Sequence, residues 1–103
     1  MRLEEKTRDK IYKIARNYDT EAQVDVLIEE MAELTKALLK NRRAQSGNTD
    51  EKIGHTVQDI IEEMADVQIM LLQISFLGDF GDDVIDVMDY KLDRQLERIQ
   101  NQK

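Results

Sequence analysis

The sequence predicts an all-α protein: a four-helix antiparallel bundle forming one domain over residues 1–103 and assembled into a homo-oligomer. Three observations carry this. Proline is absent and glycine occurs four times, so little interrupts long helices apart from two short breaks. Apolar and charged residues, 41% and 36% of the chain, recur at the three- and four-residue spacing of helix faces. The connections are short, which places sequential helices antiparallel.

The first helix is expected from about Leu3 to Asn17, with Ile11, Ile14, Ala15 and Tyr18 at helical spacing. The second runs from about Glu21 to Ala44, behind a cap at Asp19 or Thr20. The polar loop Gln45-Ser46-Gly47-Asn48-Thr49-Asp50 follows, with a Gly-Asn turn signal. The third helix begins between Glu51 and Thr56, Gly54 blurring its start, and continues to about Leu77. Gly78-Asp79-Phe80-Gly81-Asp82 is the second break, and Asp82 or Asp83 caps a fourth helix that reaches about Ile99. On the second and third helices the apolar residues spread over about half the girth, more than one hairpin covers. That width is the reason to expect a homodimer or homotetramer in which both helices enter a shared bundle.

Composition removes several function classes. Without cysteine there is no disulfide framework, thiol nucleophile or thiolate metal site, and the single histidine, His55, leaves little for zinc or Ser-His-Asp chemistry. A net charge of −7 argues against nucleic acid as a backbone-bound partner. No apolar run has the length of a membrane span, and Met1-Arg2-Leu3-Glu4-Glu5-Lys6 does not read as a secretory signal. A cytoplasmic location is the expectation.

The most informative feature is a duplication. Ile28-Glu29-Glu30-Met31-Ala32-Glu33-Leu34 returns as Ile61-Glu62-Glu63-Met64-Ala65-Asp66-Val67, five positions identical and two conservatively exchanged. Each copy stacks two carboxylates one turn apart, Glu30 with Glu33 and Glu63 with Asp66. Projected at 100° per residue, Glu30 falls among Val26, Leu27, Leu34 and Ala37, while Ile60, Val67, Met70 and Ile74 surround Glu63. Glu33 and Asp66 flank the same apolar ground, and Glu29 and Glu62 turn towards solvent. A single Glu-Glu-x-x-Glu is common on solvated helices; its repetition beside apolar residues is what singles these acids out. Two such helices side by side would bring four carboxylates together, a set that calls for a cation, and oxygen-only ligands favour Mg²⁺ or Mn²⁺. Without metal, like charges this close raise and couple their pKa values.

At these residues the chain resembles the MazG-like nucleoside triphosphate pyrophosphohydrolases of the all-α NTP pyrophosphatase superfamily. Their pattern of Glu-Glu-x-x-Glu, spacer and Glu-x-x-Asp is matched by Glu29-Glu30-Met31-Ala32-Glu33 and Glu63-Met64-Ala65-Asp66. Gln23 matches a glutamine often found upstream of the first motif. The segment Tyr90 to Arg98 is similar to their basic C-terminal helix. The likeness extends from about Asp19 to Arg98. Two departures stand out: the spacer of 29 residues between Glu33 and Glu63 is long, and Gln73 stands where many relatives carry asparagine.

The resemblance implies hydrolysis of an NTP or dNTP to the monophosphate and pyrophosphate. Mg²⁺, or Mn²⁺ in its place, would be held by the catalytic acids Glu30, Glu33, Glu63 and Asp66. Substrate contacts would come from Gln23, Gln73, Lys91, Arg94 and Arg98, the basic residues taking the phosphates. Within the enzyme class, dUTPase-like and phosphoribosyl-ATP pyrophosphatase-like activities share the acidic motifs. Outside it stand a metal-dependent nucleotide binder without turnover and a helical interaction module. His55 reads as exposed, and Tyr12, Tyr18, Phe76 and Phe80 as packing residues rather than base-stacking ones.

Overall fold

The computed structural model describes residues 3–47 and 50–102. Asn48 and Thr49 of the expected polar loop, and the first two residues of the N-terminal segment, lie outside the described residues. Four helices appear, α1 (Glu5–Asn17), α2 (Thr20–Gln45), α3 (Asp50–Leu77) and α4 (Gly81–Asn101), with no strand among the described residues. Helix α3 starts at Asp50, ahead of the expected window from Glu51 to Thr56, so Gly54 lies inside it, and Gln45 and Asp50 of the expected loop belong to the flanking helices.

Asp19 is the cap that starts α2: its Oδ1 accepts from the Ala22 amide at 2.7 Å, satisfying one of the orphan donors of the first turn. Asp19→Ala is expected to cost about 1 kcal/mol, read as a lower denaturant midpoint at unchanged slope. The α3–α4 corner is built differently from expectation. Neither Asp82 nor Asp83 is the cap; the helix starts at Gly81 behind Phe80, and both aspartates sit in the first turn, where carboxylates favour the helix dipole. The end of α3 is closed by two reverse bonds, Phe80 amide to Ser75 carbonyl and Asp79 amide to Phe76 carbonyl, both 3.1 Å. Asp79 takes the left-handed conformation (φ 54°) that such a closure needs. Gly78 serves another purpose: a Cβ there would run into the Phe80 ring.

α2 and α3 form an antiparallel hairpin, tied near one end by Asn41 Nδ2 donating to Thr56 Oγ1 (3.1 Å) and near the other by Gln73 Nε2 donating to Gln23 Oε1 (2.8 Å). Their contact follows one seam. From Gln23 to Ala44 the positions facing α3 recur at alternating four and three residues, and all are buried or half-buried. The same register returns thirty-three residues later, from Thr56 to Leu77, again buried or half-buried throughout. The thirty-three-residue offset of the acidic heptapeptide therefore also relates the buried positions along the whole hairpin.

α1 lies against α3, burying Ile11 and Ala15 and stacking Tyr12 on Phe76, with ring centroids 4.1 Å apart. The Arg16 guanidinium adds a cation–π contact to Phe76 at 5.0 Å. α4 does not join this body as a fourth packed helix: every residue from 82 to 101 is exposed. The radius of gyration, 17.2 Å, exceeds the ~13 Å of a close-packed chain of this length. Among the described residues no large side chain is fully buried.

Candidate metal centre

The seam is apolar or carries neutral polar groups except at two places, Glu30 on α2 and Glu63 on α3. These are equivalent positions of the repeat, and hairpin pairing brings them together near its middle. Asp66 joins them from one turn beyond Glu63. Glu30, Glu63 and Asp66 each present one carboxylate oxygen, and these oxygens lie within 4.8 Å of one another. The cluster opens into a shallow cleft lined by Val26, Glu30, Asp66, Ile69 and Met70.

Electrostatics mark Glu30 as the stressed member. Partial burial holds its carboxyl above the ordinary value of 4.5, and the charges of Asp66 and Glu63 push it the same way. Hydrogen bonding with Glu63 and Asp66 favours its protonated form further. Since the folded-state value exceeds the unfolded one, Glu30's contribution to stability is complete below the ordinary value and is lost as pH rises through the raised one. In chelator, the melting temperature is expected to fall over that interval. Glu30→Gln should flatten that part of the curve; an unchanged curve would assign the loss to other acids.

One observation points to a cation. Glu63 Oε2 is buried and, among the described residues, has no hydrogen-bond partner. A buried carboxylate oxygen without donor or counter-charge is costly unless something positive meets it. The donor set is three carboxylates with no nitrogen or sulfur, which suits a hard divalent ion such as Mg²⁺.

The other expected site residues fall elsewhere. Glu33 is not gathered with the acids; it lies exposed, with Lys36 Nζ 4.0 Å away on the same helix. The expected four-carboxylate set is thus a set of three in this structure. Gln23 and Gln73, each 3% exposed, are committed internally rather than offered to a ligand. Gln23 Nε2 donates to the carbonyls of Ala15 and Tyr18, both at 2.9 Å, satisfying the open end of α1, while its Oε1 accepts from Gln73. Gln73 Nε2 also lies 3.6 Å from the Met70 sulfur. Lys91, Arg94 and Arg98 are exposed on α4 and make no ion pair among the described residues; Arg94 lies over the Tyr90 ring of its own helix at 5.6 Å. Among the described residues, these three cations are not gathered with the acids. His55 is exposed, as expected. Sequence reasoning did not single out Val26 and Ile69 as cleft walls; each stands one residue before a seam position, a signal present in the repeat register.

No protein-family model, curated protein or solved structure matches this chain.

Proposed function

We propose that this chain is a Mg²⁺-dependent nucleoside triphosphate pyrophosphohydrolase of MazG-like type, cleaving the α–β phosphoanhydride to give the monophosphate and pyrophosphate. The observation that carries the reading is the gathering of Glu30, Glu63 and Asp66 across the hairpin, with Glu63 Oε2 buried and, among the described residues, unpartnered. Those three residues would hold the ion. When bound, Mg²⁺ neutralises triphosphate oxygens and makes the phosphorus more electrophilic.

The chain's own residues supply the rest. Glu63 is the anchor, half-buried on the seam with its Oε2 enclosed. Glu30, with its affinity for a proton raised, is the group to orient the attacking water and accept its proton on a carboxylate oxygen. As the water oxygen bonds to the α-phosphorus, the bond to the bridging oxygen breaks and pyrophosphate leaves with that electron pair. Val26, Ile69 and Met70 give the cleft apolar walls beside the acids. A phosphate role for Lys91, Arg94 and Arg98 belongs to this reading through assembly, since α4 stands clear of its own acids.

The test is pyrophosphate release from a panel of canonical and modified NTPs and dNTPs, with dUTP and phosphoribosyl-ATP included, in Mg²⁺ and in EDTA. Mg²⁺-dependent release of pyrophosphate supports the reading and its substrate order separates the related activities. Nucleotide binding without release points to a sensor. No binding at all by folded protein removes the enzyme reading.

A further inference from the structure

The hairpin face that carries the acids changes character along its length. Residues one position before the seam turn to one flank of the hairpin, about 100° round each helix, and those one position after it turn to the other. In an antiparallel pair the preceding rows of the two helices share one face. The acid cleft opens on that face, through Val26 on α2 and Asp66 and Ile69 on α3. Continued past the acids, the α2 row reads Glu33, Lys36, Lys40 and Arg43. Lys36 and Lys40 are exposed. The acids therefore separate two unlike halves. Towards the Gln23–Gln73 end stand the apolar walls of Val26, Ile69 and Met70, and towards the Asn41–Thr56 end stand cations.

The change of sign along α2 is abrupt. From Thr20 to Thr35 every charge is acidic, and from Lys36 to Gln45 every charge is basic. Two ordinary reasons for a basic stretch do not cover it. The helix dipole favours cations within the last turn, which accounts for Arg42 and Arg43 but not for Lys36, well inside the helix. Pairing along the helix goes the wrong way, because Lys36 and Lys40 stand at i, i+4, where like charges repel. Lys36 has Glu33 at 4.0 Å in an exposed pair, and Lys40 makes no ion pair among the described residues. Asp59, on the facing row of α3, pairs with neither lysine. Both lysines are thus placed to meet an anion from outside the chain.

We propose that Lys36 and Lys40 receive the two outer phosphates of the triphosphate, so that the nucleotide lies along the hairpin with its nucleoside over Val26, Ile69 and Met70. The placement rests on the pyrophosphohydrolase reading and adds a direction to it. Three carboxylates and a triphosphate bring more negative charge to the seam than one divalent ion offsets, so cations belong beside the phosphates. About 9 Å of helix separates Glu30 from Lys36, a span that a lysine side chain and a phosphate chain cover between them. The reverse placement would set the outer phosphates against Val26, Ile69 and Met70, side chains with no hydrogen to donate. When the α–β bond breaks, its electron pair goes to the bridging oxygen of the departing pyrophosphate. The lysine row then faces the charge that builds there.

The test is calorimetric titration of the intact chain with pyrophosphate and with a nucleoside monophosphate, each in Mg²⁺, beside the turnover assay. Wild-type protein is expected to bind pyrophosphate. Lys36→Gln and Lys40→Gln should each weaken that binding by about tenfold and leave monophosphate binding unchanged. Lys36→Arg, which keeps the charge, should retain most of it. Arg42→Gln removes the same charge from the opposite face of α2 and is expected to bind as wild type. Wild-type protein that binds no pyrophosphate overturns the proposal. So does an equal loss in Arg42→Gln, the mark of a diffuse charge effect, or a loss of monophosphate binding in place of pyrophosphate, which reverses the direction. Pyrophosphate release by wild type, with lysine variants that bind pyrophosphate unchanged, overturns the placement and leaves the enzyme reading standing. Lysine-dependent pyrophosphate binding without any release does the opposite.

Discussion

Glu63→Gln is expected to reduce Mg²⁺-dependent turnover by at least about 10²–10³-fold, the scale seen when one preorganised electrostatic group is removed from an active site. The same change should stabilise the metal-free protein. Glu63 sits on the hairpin seam with one carboxylate oxygen buried and, among the described residues, unpartnered, near two further acids. Neutralising it removes a desolvated charge and its repulsion while keeping shape and volume. Opposite signs for activity and stability distinguish a functional acid from a structural one. A surface glutamate would change neither, and an acid held by internal partners would lose stability when neutralised. The measurement pairs pyrophosphate release with thermal melts in EDTA. Retained turnover in a folded variant would remove the carboxylate cluster from the mechanism. Asp66, which is exposed, should show the loss of turnover with a smaller gain in stability.

Gln23→Ala carries the second large effect, and it falls on stability: a loss of about 2–4 kcal/mol. Three groups lose their partner at once. The carbonyls of Ala15 and Tyr18 at the end of α1 lose their donor, and the Gln73 amide loses its acceptor. Each polar group left buried and unsatisfied costs about 1–3 kcal/mol, offset where water reaches it. Because Gln23 and Gln73 touch, the double variant Gln23→Ala/Gln73→Ala should cost less than the two single losses added together. A ligand-binding role would give another result: near-normal stability with a weakened KM. Urea unfolding of the four proteins of the cycle, beside steady-state kinetics, separates the two.

The helices were legible because their signals are local. Missing prolines, polar breaks at residues 46–47 and 78–80, and Asp19 ahead of a helical run each act within a few residues of where they stand. The α3–α4 corner was misread for a physical reason. The left-handed position falls on Asp79 while the neighbouring glycine is kept free of a side chain by the Phe80 ring, a contact that no dipeptide rule encodes.

The candidate site was half legible. The repeated acids include the three that the hairpin gathers, but projecting one helix at a time put Glu33 and Asp66 on equal footing. What separates them is the register between α2 and α3, pinned by Gln23–Gln73 and Asn41–Thr56, which is information from both helices together. Reading the thirty-three-residue repeat along the full hairpin, rather than over seven residues, places Glu30 and Glu63 on the seam. It also places Gln23 there, the signal that this amide packs inside. α4 was legible as a helix and not as a neighbour. Its stripe of Ile85, Met88 and Leu92 asks for a cover that one chain does not provide.

We propose that Glu30, Glu63 and Asp66 form a divalent-cation site at the hairpin seam. Its most direct test is titration of ¹⁵N-labelled protein with substoichiometric Mn²⁺, following paramagnetic broadening of backbone amides. Broadening is expected to be confined to α2 around Glu30 and α3 around Glu63 and Asp66, reversed by excess Mg²⁺ and absent in Glu63→Gln. Broadening centred on the acidic first turn of α4 at Asp82 and Asp83, or spread evenly over the surface carboxylates, would contradict it.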